Sequence, residues 1–435
     1  MLFRIIRFIV HRILFFFFRH IYVDGLENVP TDKPVIIAAS HTYALMDALL
    51  TLAVTPRPHY SMTRADIFDS GFKNWILDQL YMVPIYRARD GGDTVQRNQS
   101  TFQKVNEVLL NNEGILIFPE GSCVMTKAVQ PLKKGTARMA FNLMEQEDIE
   151  VYIVPAGLNY SAYEKTQIDA LISFGKPIII SNYKEQYEQH HAKAIRQATK
   201  DIQQALEKQM IIVSDEINDT TELALQLYRS DLQLPKWFTY KKDKNKRLHL
   251  EKQVADTLTK MHKAQPQLFK DFEESIKSYF NLLHQYNIED AALIRKFGIL
   301  EQTFLFMVWL TTLPLHLLNQ IICIEQQVHK RVLKTLETTD DFFYSSFYIV
   351  YIMILVLSCL LIGWVGFGIW TGSAGLGFLA SLLILLWMYS YVRCLPFFKL
   401  WKQVQQVNRL READPPSIVS MLKQRLMLKN WLTGK

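Results

Sequence analysis

From residue 342 to residue 392 the chain contains no Asp, Glu, Lys or Arg. The hydrocarbon core of a bilayer takes about 20 apolar residues per helical span, so this run is long enough for two. A protein that is soluble along its whole length is thereby set aside, and an integral membrane protein is expected. Composition agrees with that reading. With 49% hydrophobic residues the chain is not a disordered one, and four cysteines in 435 residues are too few for a disulfide scaffold. That length leaves room for roughly two or three domains.

The net charge of +7 is local. Residues 393–435 carry nine Lys/Arg against Glu412 and Asp414. Residues 236–252 hold seven basic and two acidic side chains, and the first twenty residues add Arg4, Arg7, Arg12 and Arg19 without an acid. No nucleic-acid motif accompanies these patches, so no nucleic-acid partner is expected. Beside hydrophobic segments they read as attraction to an anionic cytoplasmic leaflet. Residues 1–22 combine arginines with large apolar residues and lack a small-residue cleavage site, which suits an interfacial anchor helix.

Three hydrophobic stretches follow near the C-terminus, at 303–323, 347–370 and 374–392. If all three crossed, the basic tail at 393–435 would lie opposite the N-terminal domain. A two-helix hairpin over 342–392, turning at Thr371–Gly372–Ser373, keeps every basic segment on one side. The stretch 301–324 is then re-entrant or interfacial, in keeping with Pro314, His316, Asn319 and Gln320.

Residues 23–214 have a different pattern. Short β-branched runs at 35–39, 59–63, 82–86, 115–118, 151–156 and 171–174 alternate with helical patterns at 45–54, 65–80, 94–111, 134–147 and 183–210. Such alternation predicts an α/β domain with a mixed, helix-covered sheet, whose functional residues gather at strand ends. The unusual polar residues fall there. They are Ser40–His41–Thr42–Tyr43–Ala44–Leu45–Met46–Asp47, then Pro84–Ile85–Tyr86–Arg87, then Phe118–Pro119–Glu120–Gly121–Ser122, and finally Val154–Pro155 leading to Asn159–Tyr160.

In this order the four blocks resemble the glycerolipid acyltransferase superfamily, with a PlsC-like domain over about residues 20–180. The usual spacing there is His-x4-Asp, whereas five residues separate His41 from Asp47. That variant looks like the branch acylating glycerol-3-phosphate or dihydroxyacetone phosphate. The resemblance implies a membrane-bound O-acyltransferase of phospholipid biosynthesis. It would take an acyl group from acyl-CoA or acyl carrier protein to glycerol-3-phosphate or its 1-acyl derivative. Its partners would be membrane phospholipids, the acyl carrier and a phosphorylated glycerol acceptor, with no further cofactor and no metal. Two other readings stay open: a lysophospholipid acyltransferase for another headgroup, and a membrane scaffold that keeps the fold.

Transfer from a thioester to an alcohol needs a base for the hydroxyl proton and a partner that fixes the base's tautomer. His41 is the candidate base and Asp47 its partner. Six residues of continuous helix would turn them about 240° apart, so His41 is expected in a loop with Asp47 reaching back from the next helix. The resemblance assigns Arg87 to a phosphate, Glu120 and Gly121 to the acceptor, and Pro155 to the pocket wall. Ser122 either caps a turn or donates to phosphate, and Lys133 is a second phosphate candidate. Cys123 raises a thiol-nucleophile alternative, but nothing in its neighbourhood activates it. One departure is the segment 161–169, which lacks the basic cluster common in that branch and so loosens the acceptor assignment. Residues 215–300 read as a helical linker domain.

Overall fold

The computed structural model describes residues 7–8, 10–12, 14, 17–68, 71–86, 98–147, 149–162, 168–232, 241–242, 246–322, 358, 360–361 and 363–433. They divide into two units. The first comprises Met1–Ile212, Tyr240–His249 and Phe342–Ser346; the second, Val213–Thr239, Leu250–Asp341 and Phe347–Lys435.

The first unit is an α/β domain. Its strands are β1 (Phe18–Asp24), β2 (Val35–Ala39), β3 (His59–Arg64), β4 (Met82–Ile85), β5 (Gly114–Ile117), β6 (Tyr152–Tyr160), β7 (Ile168–Phe174), β8 (Ile178–Ile179) and β9 (Lys241–Lys242). Between them lie α1 (Leu45–Val54), α2 (Gly71–Gln79), α3 (Gln99–Leu110), α4 (Gly135–Glu147), α5 (Lys184–Gln189) and α6 (His191–Glu207). The sheet order is β4-β3-β5-β2-β6-β7-β1-β9, with β8 beside β6. Neighbours run parallel except where β6 meets β7 and β8.

All five residues of β2 are buried, as a central strand covered on both faces demands. Alternate residues Ile36 and Ala38, Ile115 and Ile117, and Val151 and Ile153 share one core cluster with Val105, Val108 and Leu109 of α3. Phe141 of α4 and Ala194, Ala198 and Ile202 of α6 complete it. The expected mixed, helix-covered sheet is therefore present.

Several boundaries differ from expectation. The interfacial helix expected over residues 1–22 does not hold to its end, because residues from Phe18 onward form β1 between β7 and β9. Phe17, Phe18 and Ile21 are fully or almost fully buried there. A short run of large apolar residues has no period that tells helix from strand, and pairing with β7 decides it. β6 runs on to Tyr160, four residues past the expected end, which puts Leu158, Asn159 and Tyr160 on a strand. The single helix expected over 183–210 is two, divided at His190, whose backbone is extended (φ −153°, ψ 86°). The expected helical linker at 215–300 also contributes β9 to the sheet.

The described part of the second unit is almost wholly helical: α7 (Asn218–Leu232), α8 (Lys246–Ala264), α9 (Pro266–Gln285), α10 (Asp290–Ile294), α11 (Ile299–Ile322), α12 (Ala374–Ala413) and α13 (Pro415–Thr433). The opening residues of α8 count with the first unit. Phe269, Phe272, Ile276, Tyr279 and Leu283 of α9 recur at alternating three- and four-residue steps and are all buried. Arg425 of α13 bonds Asp290 at 2.8 Å and Asp231 at 2.7 Å, tying this helix to α10 and α7. α11 passes through Pro314 without a break. A proline inside a helix removes one hydrogen bond, and the turns on either side persist here.

The helix ending at Thr371 turns at Gly372 (φ +63°), and α12 starts after Ser373, whose hydroxyl caps it. A side chain at Gly377 would stand 2.3 Å from the Trp364 carbonyl, so only glycine lets the two segments come this close. Leu361, Trp364, Ile369, Trp370, Leu383 and Leu386 are exposed along them. Among the described residues no helix is long and apolar enough to cross a membrane. The expected transmembrane hairpin at 342–392 is not shown, and residues 342–357 fall outside those described.

Candidate functional site

The site forms where β2 and β5, neighbours in the sheet, end on the same side. β2 closes at Ala39, and Ser40 then anchors the turn by donating its N–H to Ala156 O (3.0 Å) and accepting from Leu158 N at its hydroxyl (2.9 Å). His41 lies in the loop beyond, and Asp47 lies in the first turn of α1. Between them Ala44 takes φ +49°, a strained conformation for a residue with a Cβ, and through it the chain doubles back. The outcome is a hydrogen bond of 2.9 Å between His41 Nδ1 and Asp47 Oδ2.

Asp47 is fully buried, and hydrogen bonds surround it. Oδ2 also accepts from the backbone N–H of Thr42 (2.9 Å) and Tyr43 (2.8 Å), and Oδ1 accepts from the Tyr160 hydroxyl at 2.6 Å. As a carboxylate Asp47 can only accept, and all four bonds run toward it. Nδ1 of His41 is then the nitrogen that carries the proton, and Nε2 keeps a free lone pair. The imidazole stacks on Phe118 at 4.0 Å between ring centroids, with an interplanar angle of 18°. Its side chain is 20% exposed, so the ring can be reached while its partner stays dry.

Glu120 joins this site through the backbone. Its Oε1 accepts from His41 N and its Oε2 from Gln130 N, both at 2.9 Å. Burial pushes its carboxyl above the usual range, against those two N–H bonds. Each oxygen thus takes part in fastening the His41 loop to the segment after β5. Gly121 sits at φ +73°, and its N–H closes a turn onto Phe118 O at 3.1 Å. Ser122 is half-buried beside it.

The remaining candidates are placed differently. Lys133 is exposed, with its N–H bonded to Pro119 O at 2.7 Å. Pro155 is buried in β6 opposite Ala38, and its Cγ lies 2.8 Å from where a Cβ on Gly175 would stand. That contact lies within the sheet packing. Arg87 lies outside the described residues.

Sequence reasoning gave no role to Tyr160 or Phe118. A buried aspartate with one oxygen already spent on His41 calls for another donor, and a tyrosine ending a neighbouring strand was the available signal. Cys123 also approaches the site, accepting from Ala44 N at 3.2 Å. Burial and the nearby Asp47 carboxylate push its thiol up to about 12, far from the thiolate a nucleophile needs. Cys123→Ala should therefore keep most of any acyl-transfer activity, losing at most one weak hydrogen bond. A steady-state assay of the variant checks this. His41, Asp47 and Cys123 also offer ligand atoms within 4.8 Å of one another, the grouping among the described residues that could hold a metal ion. A bound ion would compete there with the four donors on Asp47.

Residues 20–159 match the family described as Acyltransferase. Over 109 residues the chain is 37% identical to glycerol-3-phosphate O-acyltransferase 1 of Saccharomyces cerevisiae, covering 25% of this chain and 14% of the yeast protein. It is 31% identical over 111 residues to glycerol-3-phosphate O-acyltransferase 2 of the same yeast, covering 25% and 15%. An uncharacterized acyltransferase of Schizosaccharomyces pombe is 32% identical over 98 residues, covering 22% and 14%. The chain thus spans only about 14–15% of the length of these relatives. Among solved structures, the 1-acyl-sn-glycerophosphate (LPA) acyltransferase PlsC from Thermotoga maritima aligns at 17% identity with a TM-score of 0.29, covering 42% of this chain and 72% of that one.

Proposed function

We propose, from the match of residues 20–159 to the family described as Acyltransferase, that this protein is an O-acyltransferase acting on a glycerolipid precursor. It moves a fatty acyl group from a thioester donor to a hydroxyl of glycerol-3-phosphate or 1-acylglycerol-3-phosphate. The observation that carries the reading is the His41–Asp47 pair at 2.9 Å, with Asp47 buried and His41 open to solvent.

In this mechanism Nε2 of His41 takes the proton of the acceptor hydroxyl as its oxygen attacks the thioester carbonyl. The C–O bond forms, the C–S bond breaks, and the proton passes to the leaving sulfur, giving ester and free thiol. The imidazolium that arises in between is stabilised by Asp47. Glu120 and Tyr160 are positioning residues, the first through the His41 backbone and the second through Asp47. The expected phosphate contact, Arg87, is part of the proposal.

The same reading attaches the protein to a membrane through residues 342–392, with the acyltransferase domain on the cytoplasmic side. The exposed Leu361, Ile369, Trp370 and Leu386 and the basic residues after 393 support it. The product would then be released where it is soluble.

The test supplies membranes containing the protein with a labelled acyl donor and either acceptor, and separates the lipids. Lysophosphatidic acid from glycerol-3-phosphate assigns the first acylation. Phosphatidic acid formed only from the 1-acyl acceptor assigns the second. Absence of product from both, with an intact protein, would sink the proposal.

A further inference from the structure

The imidazole of His41 is held along one edge and backed on one face. Along the edge, Nδ1 bonds Asp47 Oδ2 at 2.9 Å. That bond alone leaves the ring free to rock about the Nδ1–Oδ2 line, because the last torsion of a histidine side chain has broad minima. Rocking swings Nε2, the atom that takes the proton. The Phe118 ring closes off this motion, lying 4.0 Å from the imidazole between centroids at an interplanar angle of 18°.

Phe118 is itself fixed by the backbone. β2 and β5 run parallel with Ala38 opposite Ile117, so the residue after Ile117 comes up beside the turn that carries His41. Pro119 disfavours a helical backbone at Phe118, and the Phe118 carbonyl accepts from Gly121 N at 3.1 Å. The same turn carries Glu120, whose Oε1 accepts from His41 N at 2.9 Å. One turn thus holds the histidine by its backbone and by its ring face.

Stacking has an electrostatic consequence as well. When Nε2 takes the acceptor's proton the ring becomes an imidazolium, and the face of a benzene ring attracts a cation. The attraction is stronger for the charged ring than for the neutral one, so it lowers the barrier rather than tightening substrate binding. Asp47 answers the new charge at the Nδ1 edge, and Phe118 answers it at the face. With the His41 side chain only 20% exposed, water screens this attraction weakly.

We propose that Phe118 is a positioning residue of the acyl-transfer reaction, fixing the orientation of the His41 ring and stabilising its protonated form. The inference rests on the acyl-transfer reading and adds to it a residue that acts through the base.

The test uses membranes containing the full chain, supplied with acyl donor and the acceptor that the wild type uses. It compares the wild type with Phe118→Leu, Phe118→Tyr and proteins carrying mono-, di- or trifluorinated phenylalanine at position 118. Fluorine draws charge from the ring face while nearly keeping its shape. Phe118→Leu should lower kcat by about tenfold, within the range for a cation over an aromatic face, with the KM of both substrates unchanged. Phe118→Tyr keeps the face and should stay within about twofold of the wild type. Each added fluorine should lower kcat further while the melting temperature holds. Unchanged kcat in Phe118→Leu overturns the inference. So does a loss in Phe118→Leu that fluorination does not reproduce, which would mark packing alone. His41→Ala, measured alongside, separates the two readings. If it leaves kcat intact, the base assignment fails; if it lowers kcat while the fluorinated proteins match the wild type, only the role of Phe118 fails.

Discussion

His41→Ala is expected to lower kcat for acyl transfer by about 10²–10⁴-fold, the range a positioned general base contributes. The fold should survive, because the ring is partly exposed and its loop is also held by the Glu120–backbone bond of 2.9 Å. Asp47→Asn should cost nearly as much by a different route. An amide at that position can present a donor to Nδ1 and select the wrong tautomer, leaving Nε2 protonated and unable to accept. The Asn side chain must also satisfy Thr42 N, Tyr43 N and the Tyr160 hydroxyl with less accepting capacity. The measurement is kcat against pH for both variants. Unchanged kcat in His41→Ala would remove the base assignment, and with it the mechanism.

Asp169→Asn is expected to destabilise the first unit by about 3–5 kcal/mol, the cost of removing one partner from a buried ion cluster. Asp169 has no exposed side-chain surface. It accepts from Arg19 Nε at 2.9 Å, His20 Nδ1 at 3.1 Å and Arg247 at 3.1 Å. Arg247 also lies over the Tyr22 ring at 4.4 Å. The variant would leave two guanidiniums facing a neutral amide. Burial opposes ionisation of Asp169, yet the two guanidiniums and the His20 hydrogen bond hold its carboxyl well below the usual range. A depressed carboxyl contributes stability that is fully present above its ordinary value, near 4, and is lost as pH falls through the folded value. Denaturant unfolding near pH 7 should thus show the full difference between the two proteins, and the difference should shrink below about pH 4. A constant difference across that range would exclude the ion cluster as its source.

This cluster also bears on the segment 161–169. The resemblance pointed to missing positive charge after Tyr160, and Asp169 was one of the residues in its place. In the fold, Asp169 gathers Arg19 from β1 and Arg247 from the start of α8. Cations far away in sequence therefore converge there, which local composition does not reveal.

Much of the core was written in local pattern. The strands at 35–39, 59–63 and 115–118 and the helices at 45–54 and 134–147 lie within a residue or two of their expected positions. Their apolar residues repeat at the period of the element they form, so each segment states its own conformation. β1 and the far end of β6 did not, because a strand flanked by partners on both sides is specified by what it pairs with.

The candidate site divides the same way. The chain itself supplied His41 and Asp47, their separation of six residues, and hence the need for a loop between them. It also placed Glu120 on the turn after the fourth expected strand. Only the tertiary structure set Tyr160 on the second oxygen of Asp47, Phe118 under the imidazole, and both oxygens of Glu120 on backbone N–H groups. Apart from the Gln130 bond, which spans 10 positions, those contacts join residues between 77 and 113 positions apart. Hydrogen bonds and ring stacking depend on distances of a few ångströms, and over such separations only strand pairing and helix packing bring the chain that close.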